Sequence, residues 1–126
     1  MRILLADDQP KVRLGLRLLL EQEGWASVVG EAAEAQGLLA QVEAAQPDLV
    51  LLDWSLHRSE RLDLLSALRG CHPELAVVVL SGQPEAEQDA LDAGADAFVS
   101  KADPPERLLA AIAQLDEPEW HGSVRS

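Results

Sequence analysis

The chain has 126 residues, 22 acidic against 10 basic side chains for a net charge of −12, a hydrophobic fraction of 48% and only four aromatic rings, three Trp and one Phe. That length suits one domain with one core, filled by aliphatic side chains and alanine. The negative charge repels phosphate backbones and anionic lipid headgroups, which argues against direct nucleic-acid or membrane-surface binding. One cysteine, Cys71, cannot form an internal disulfide. No cleavable leader precedes the first apolar run, and no apolar run nears the roughly 20 residues that span a bilayer, so a cytoplasmic location is the expectation.

Taken in chain order, short apolar runs predict five strands, at RILLA (2–6), ASVVGE (26–31), DLVLLD (48–53), LAVVVL (75–80) and DAFVS (96–100). The segments between them carry helical spacing. The first helix opens at Pro10, a residue suited to the first helical position, and stripes Val12, Leu16, Leu19 and Leu20 on one face. The second uses Ala35, Leu38, Val42 and Ala45. The third uses Leu62, Leu65 and Leu68 and is expected to begin near residue 60, with Ser59 as cap, Glu60 and Asp63 in its first turn and Arg61 toward solvent. The fourth runs from near Pro84 to Gly94, a helix-ending residue. The fifth opens with DPPE, where Asp103 can cap, Pro104 fits the first turn and Glu106 sits at capping-box spacing, and it buries Leu108, Ile112 and Leu115. Residues 1–115 form the expected domain; 116–126 lose periodicity and read as a tail or truncated linker.

Strict alternation of strand and helix favours an α/β fold, a doubly wound five-stranded parallel sheet with helices on both faces. In such sheets functional residues gather at the carboxyl ends of the strands. Asp7 and Asp8 follow the first strand, Asp53 ends the third, Ser81 follows the fourth and Lys101 the fifth. Three carboxylates converging on one rim repel one another unless a cation neutralises them, and magnesium, which prefers oxygen ligands and keeps several waters, is the natural one. An ammonium and a hydroxyl beside it complete a cradle for a phosphoryl group, with Asp53 as the nucleophile of an acyl-phosphate reaction.

At these residues the chain resembles the receiver domain of two-component response regulators, through LLADDQP, PDLVLLDW, VVVLSG and ALDAGADAFVSK, over residues 1 to about 115. The resemblance implies a flavodoxin-like sheet of strand order 2-1-3-4-5. It implies that Asp7 and Asp8 help bind Mg2+, that Asp53 both ligates the ion and accepts phosphate, and that the main-chain carbonyl of Ser55 is a further ligand. Ser81 and Lys101 would contact the phosphoryl group, and Ser81 with Phe98 would form the switch that reports it. The partners implied are a sensor histidine kinase or phosphotransfer protein, with a homodimer or a downstream effector as the output. The wording of VVGEAAEA and SKADPPERLLAAI is similar to receivers joined to a helix-turn-helix output domain.

Departures from the family pattern are concentrated after Asp53. Leu56 and His57 stand where Met-Pro is usual, Arg61 stands where a glycine is usual, and Lys101 is followed by Ala102 rather than proline, which leaves the geometry of that peptide open. Arg58 is read either as a solvated charge or as a cation folded toward the acidic pocket. A pseudo-receiver, an interaction module of the same fold with impaired phosphotransfer, is the alternative function. A small aspartyl-phosphate phosphohydrolase is a third, set back because Ser55 stands where those enzymes place a second acid. Phe98 reads equally as plain core or as a switch, Trp25 and Trp54 as packing residues, Cys71 as a small partly buried residue, and His57, His72 and His121 as solvated. Trp120 is read as disordered or as an anchor for a partner.

Overall fold

The computed structural model describes residues 1–59 and 63–116. The strands are β1 (Arg2–Ala6), β2 (Ser27–Ala32), β3 (Leu49–Asp53), β4 (Ala76–Ser81) and β5 (Ala97–Ser100), each within a residue of its expected bounds. Between and after them run α1 (Pro10–Glu21), α2 (Ala35–Ala45), α3 (Trp54–Ser59), α4 (Asp63–Cys71), α5 (Glu87–Asp92, led in by a 3-10 turn at Pro84–Ala86) and α6 (Pro105–Leu115). All strands pair in parallel in the order β2-β1-β3-β4-β5, the flavodoxin-like order. No described helix is long and apolar enough to cross a membrane.

Why β3 and β4 lack polar alternation is plain from their two faces. Every residue of each is buried. Because successive side chains point to opposite faces, Val50, Leu52, Val77 and Val79 pack with α2, α4 and α5, while Leu49, Leu51, Ala76, Val78 and Leu80 pack with α1 and α6. The helical stripes seat as spaced: Leu38 and Val42 of α2 and Leu65 and Leu68 of α4 are buried on the first side, Leu20, Leu108, Ile112 and Leu115 on the second. Trp54 and Phe98 are half-buried against the first cluster, and Trp25 against the second.

Helix ends depart from expectation in three places. A helix, α3, begins directly after Asp53, ahead of the expected helix start near residue 60, and Ser59 is its last residue; the expected cap at Ser59 lies outside the described side chains. The following helix is described from Asp63; the expected start near residue 60 and the side-chain placements of Arg58 and Arg61 lie outside the described residues. Asp103 does not cap α6. Pro104 occupies the N-cap, and the Asp103 carboxylate accepts a hydrogen bond from the Ser100 N–H at 3.3 Å instead, closing the turn after β5. Cys71, the last residue of α4, is exposed rather than partly buried. The expected turn at Gly94 is present with φ at +115°, a conformation that favours glycine. Trp120, His121 and the tail beyond Asp116 lie outside the described residues.

Candidate functional site

Each strand delivers its last residues to the same edge of the sheet, and the parallel register sets how far apart they lie. Ala6 is paired with Leu52, so Asp7 and Asp53 are next in line on adjacent strands. Asp53 in turn lies opposite Leu80, which places Ser81 one residue beyond, and Ser81 pairs with Ser100, which places Lys101 beyond that. Asp7, Asp8 and Asp53 come together, each offering an oxygen within 4.8 Å of the others. Asp7 and Asp53 are buried, at 1% and 3% exposure, and Asp8 is exposed.

The Lys101 ammonium bridges the two buried acids, its Nζ lying 3.4 Å from Asp7 Oδ2 and 3.4 Å from Asp53 Oδ1. Lys101 is held there by its own N–H, which donates to the Ser81 carbonyl at 2.8 Å. The Lys101–Ala102 peptide is trans, as is every described peptide. Asp7 takes a backbone hydrogen bond from the Gln9 N–H onto Oδ1 at 2.8 Å. Burial nonetheless holds the Asp7 carboxyl above the usual carboxylate range; the neighbouring Asp53 charge adds to that, while the Gln9 bond and Lys101 act against it. One lysine therefore leaves the acidic pocket under-neutralised.

Asp53 sits immediately before α3 and serves as its N-cap residue: Oδ1 accepts from the Ser55 N–H at 3.3 Å, the bond expected of an aspartate at that position. The Ser55 hydroxyl donates to the other oxygen, Oδ2, at 2.8 Å. Ser81 reaches the same rim, but its hydroxyl is engaged within its own loop, accepting from the Gln83 N–H at 3.0 Å and donating to the Gln83 carbonyl at 3.4 Å. Phe98 lies on β5, opposite Val79 and three residues before Lys101.

Two contributors were missed by the sequence reading. Arg13 of α1 donates from Nη1 to the Asp7 carbonyl at 2.6 Å and from Nε to Glu31 at 3.0 Å, pinning the chain that carries the two aspartates. Glu31 is shared with Arg17, whose hydrogen bond is the chief reason that its carboxyl lies below the usual range. No local spacing rule links residues 7, 13 and 31, which three different elements supply. The Ser55 hydroxyl was missed because only its main-chain carbonyl was considered.

Three carboxylates, two of them buried, form a hard, anionic oxygen set, and that set fits Mg2+. A search with family models gives a match to the response regulator receiver domain across residues 3–113. The chain belongs to that family. As a receiver it is similar to the nitrate/nitrite response regulator protein NarL of Escherichia coli, with 35% identity over 89% of this chain and 53% of the relative. It is likewise similar to the transcriptional activator protein ExaE of Pseudomonas putida, with 37% identity over 94% of this chain and 59% of the relative. The chain thus spans a little over half the length of these relatives. Among solved structures, the isolated receiver domain of RcsB from Salmonella enterica serovar Typhimurium, determined with the phosphomimetic BeF3−, superposes with a TM-score of 0.83 at 28% identity, covering 94% of this receiver and 89% of that chain.

Proposed function

We propose that this receiver takes a phosphoryl group onto Asp53 from a sensor histidine kinase or phosphotransfer protein, in a Mg2+-dependent reaction, and that the modification controls its binding surface. The observation that carries the reading is the pair of buried carboxylates, Asp7 and Asp53, bridged by Lys101 at 3.4 Å beside exposed Asp8. Asp7, Asp8 and Asp53, with the Ser55 carbonyl, would hold the ion; bound there, it supplies positive charge that offsets the acids and the incoming phosphate oxygens.

In the step itself a lone pair on an Asp53 oxygen attacks phosphorus, the bond from phosphorus to the donor nitrogen breaks, and the freed imidazole takes up a proton from solvent. Lys101 follows the charge as it moves to the phosphoryl oxygens, since its ammonium already rests against Asp53 Oδ1. Ser81 answers by exchanging its Gln83 bonds for a phosphoryl oxygen, and Phe98 turns inward as the Ser81 loop moves. The response is read on the face formed by α5, β5 and α6, where Phe98, Ala102, Arg107 and Gln114 line a groove of about 600 Å3 open to an effector or a second copy. Residues 1–115 act as the receiver and 116–126 as a linker or tail.

Incubation with Mg2+ and a small acyl-phosphate donor, followed by intact-mass measurement, tests the acceptor. One phosphate increment is expected on the parent and none on Asp53→Asn; an increment that persists in the folded variant overturns the assignment. Millimolar Mg2+ should also raise the thermal midpoint of the parent, because a cation that binds only the folded cluster stabilises it by mass action.

A further inference from the structure

Asp7 and Asp8 are held unequally. Asp7 is 1% exposed, and each of its polar groups has a partner. Its N–H donates to the Ala32 carbonyl at 3.0 Å, its carboxylate takes the Gln9 N–H at 2.8 Å and the Lys101 ammonium at 3.4 Å, and its carbonyl takes Arg13 Nη1 at 2.6 Å. Asp8 is exposed, and its carboxylate has no hydrogen-bond or ion-pair partner among the described residues. Only the main chain therefore directs the Asp8 carboxylate toward the cluster.

The Asp7 carbonyl and the Asp8 N–H belong to one rigid, planar peptide. Fixing that carbonyl fixes the plane, and with it the direction in which Asp8 leaves the chain. Arg13 can do so because it is itself held. Its Nε donates to Glu31 Oε1 at 3.0 Å, so one side of the planar guanidinium rests on β2 while the other reaches Asp7. Arg17, one turn further along α1, keeps Glu31 in place through Nε to Oε2 at 2.8 Å. The Arg13 side chain is 17% exposed, which shields the contact from competing water.

We infer that Arg13 is a positioning residue for Mg2+: held by Glu31, it orients the Asp7–Asp8 peptide so that Asp8 faces the ion beside Asp7 and Asp53. This rests on the reading of the three aspartates as the Mg2+ site. The sign separates position from charge. As a bare cation beside the cluster, Arg13 would repel a second cation, and its removal would tighten Mg2+ binding. As a clamp on the peptide it orders the Asp8 backbone before the ion arrives, and its removal weakens binding.

The test reads the thermal midpoint of the whole chain in chelator and then across a Mg2+ titration, so that stability and affinity are obtained separately. Arg13→Ala should bind Mg2+ about tenfold more weakly than the parent. Arg13→Lys keeps the charge but not the fork that spans Glu31 and Asp7, and should weaken binding in the same direction. The deciding arm places Arg13→Ala in an Asp8→Asn background, where the clamp has no carboxylate left to aim; there it should change affinity by less than about twofold. If Arg13 only ties α1 to β2, both Arg13 variants will melt earlier in chelator and bind Mg2+ as the parent does, and the inference is overturned. Tighter binding by Arg13→Ala overturns it too, as does an equal loss with and without Asp8. A parent whose midpoint ignores millimolar Mg2+ overturns the metal reading, and this inference falls with it.

Discussion

Asp7 shows how a candidate metal ligand costs the fold that carries it. Its carboxyl is held above the ordinary value chiefly by burial, and the Gln9 hydrogen bond and the Lys101 ammonium do not cancel that. The sign follows. Above its raised folded value the group is ionised and destabilising; as pH falls through that value toward the unfolded 3.8, the folded chain takes up the proton first and the cost is relieved. Asp7→Asn keeps an oxygen for the Gln9 N–H and removes the buried charge. With chelator at neutral pH the variant should therefore melt above the parent, and the gap should close as pH falls toward 4. Millimolar Mg2+ should narrow or reverse the gap, because only the parent offers the full carboxylate set. A variant that melts below the parent in chelator at pH 7 would show that the Lys101 contact outweighs desolvation.

Local backbone rules decided most helix ends, and their failures are informative. At the end of α2, Gln46 adopts a left-handed conformation, φ 48° and ψ 59°, which lets its N–H reach the Val42 carbonyl at 2.9 Å. Glycine is the usual residue there, and the strain of a side chain in that conformation is about 1 kcal/mol. Gln46→Gly should therefore stabilise by roughly 0.5 kcal/mol after the added flexibility of the unfolded chain is counted, visible as a rise of about 2–4 °C in the thermal midpoint. An unchanged or lower midpoint would place the strain elsewhere. The hydrogen bond from Gln46 Nε2 to the Glu43 carbonyl is exposed and its loss counts for little. The missed α3 has a related origin: Asp53 was read as a nucleophile and metal ligand, yet an aspartate ahead of WSLHRS is also a helix cap.

Across the whole molecule, one ion pair ties α4 to the far edge of the sheet. The Arg69 guanidinium pairs with Asp96, whose side chain is 4% exposed, and donates to the Gly94 carbonyl at 2.8 Å and to the Leu75 carbonyl. Asp96 also accepts from the Val77 N–H at 2.8 Å, so α4 and β4 both meet the segment leading into β5 at this side chain. Removing one partner of a buried pair strands the other charge and costs about 3–5 kcal/mol. Arg69→Ala should accordingly lower unfolding free energy by roughly 3 kcal/mol in a urea titration, a large part of the stability of a domain this size. A loss below about 1 kcal/mol would mean that Asp96 is satisfied without it.

The sequence by itself determined the strand and helix order, the two-faced burial of β3 and β4 and the rim on which Asp7, Asp8, Asp53, Ser81 and Lys101 gather. These follow from side-chain periodicity and from the rule that parallel strands present their carboxyl ends together. Leu49 to Leu52 had to be core because no polar residue interrupts them. Only the tertiary structure decided that Lys101 bridges Asp7 to Asp53, that Arg13 reaches the Asp7 carbonyl, that Ser81 is engaged by Gln83, and that the two oxygens of Asp53 have different partners. These contacts join residues up to 94 positions apart or depend on side-chain rotation about a fixed backbone. Local spacing encodes neither, because both are settled by the packing of elements that meet only when the sheet has formed.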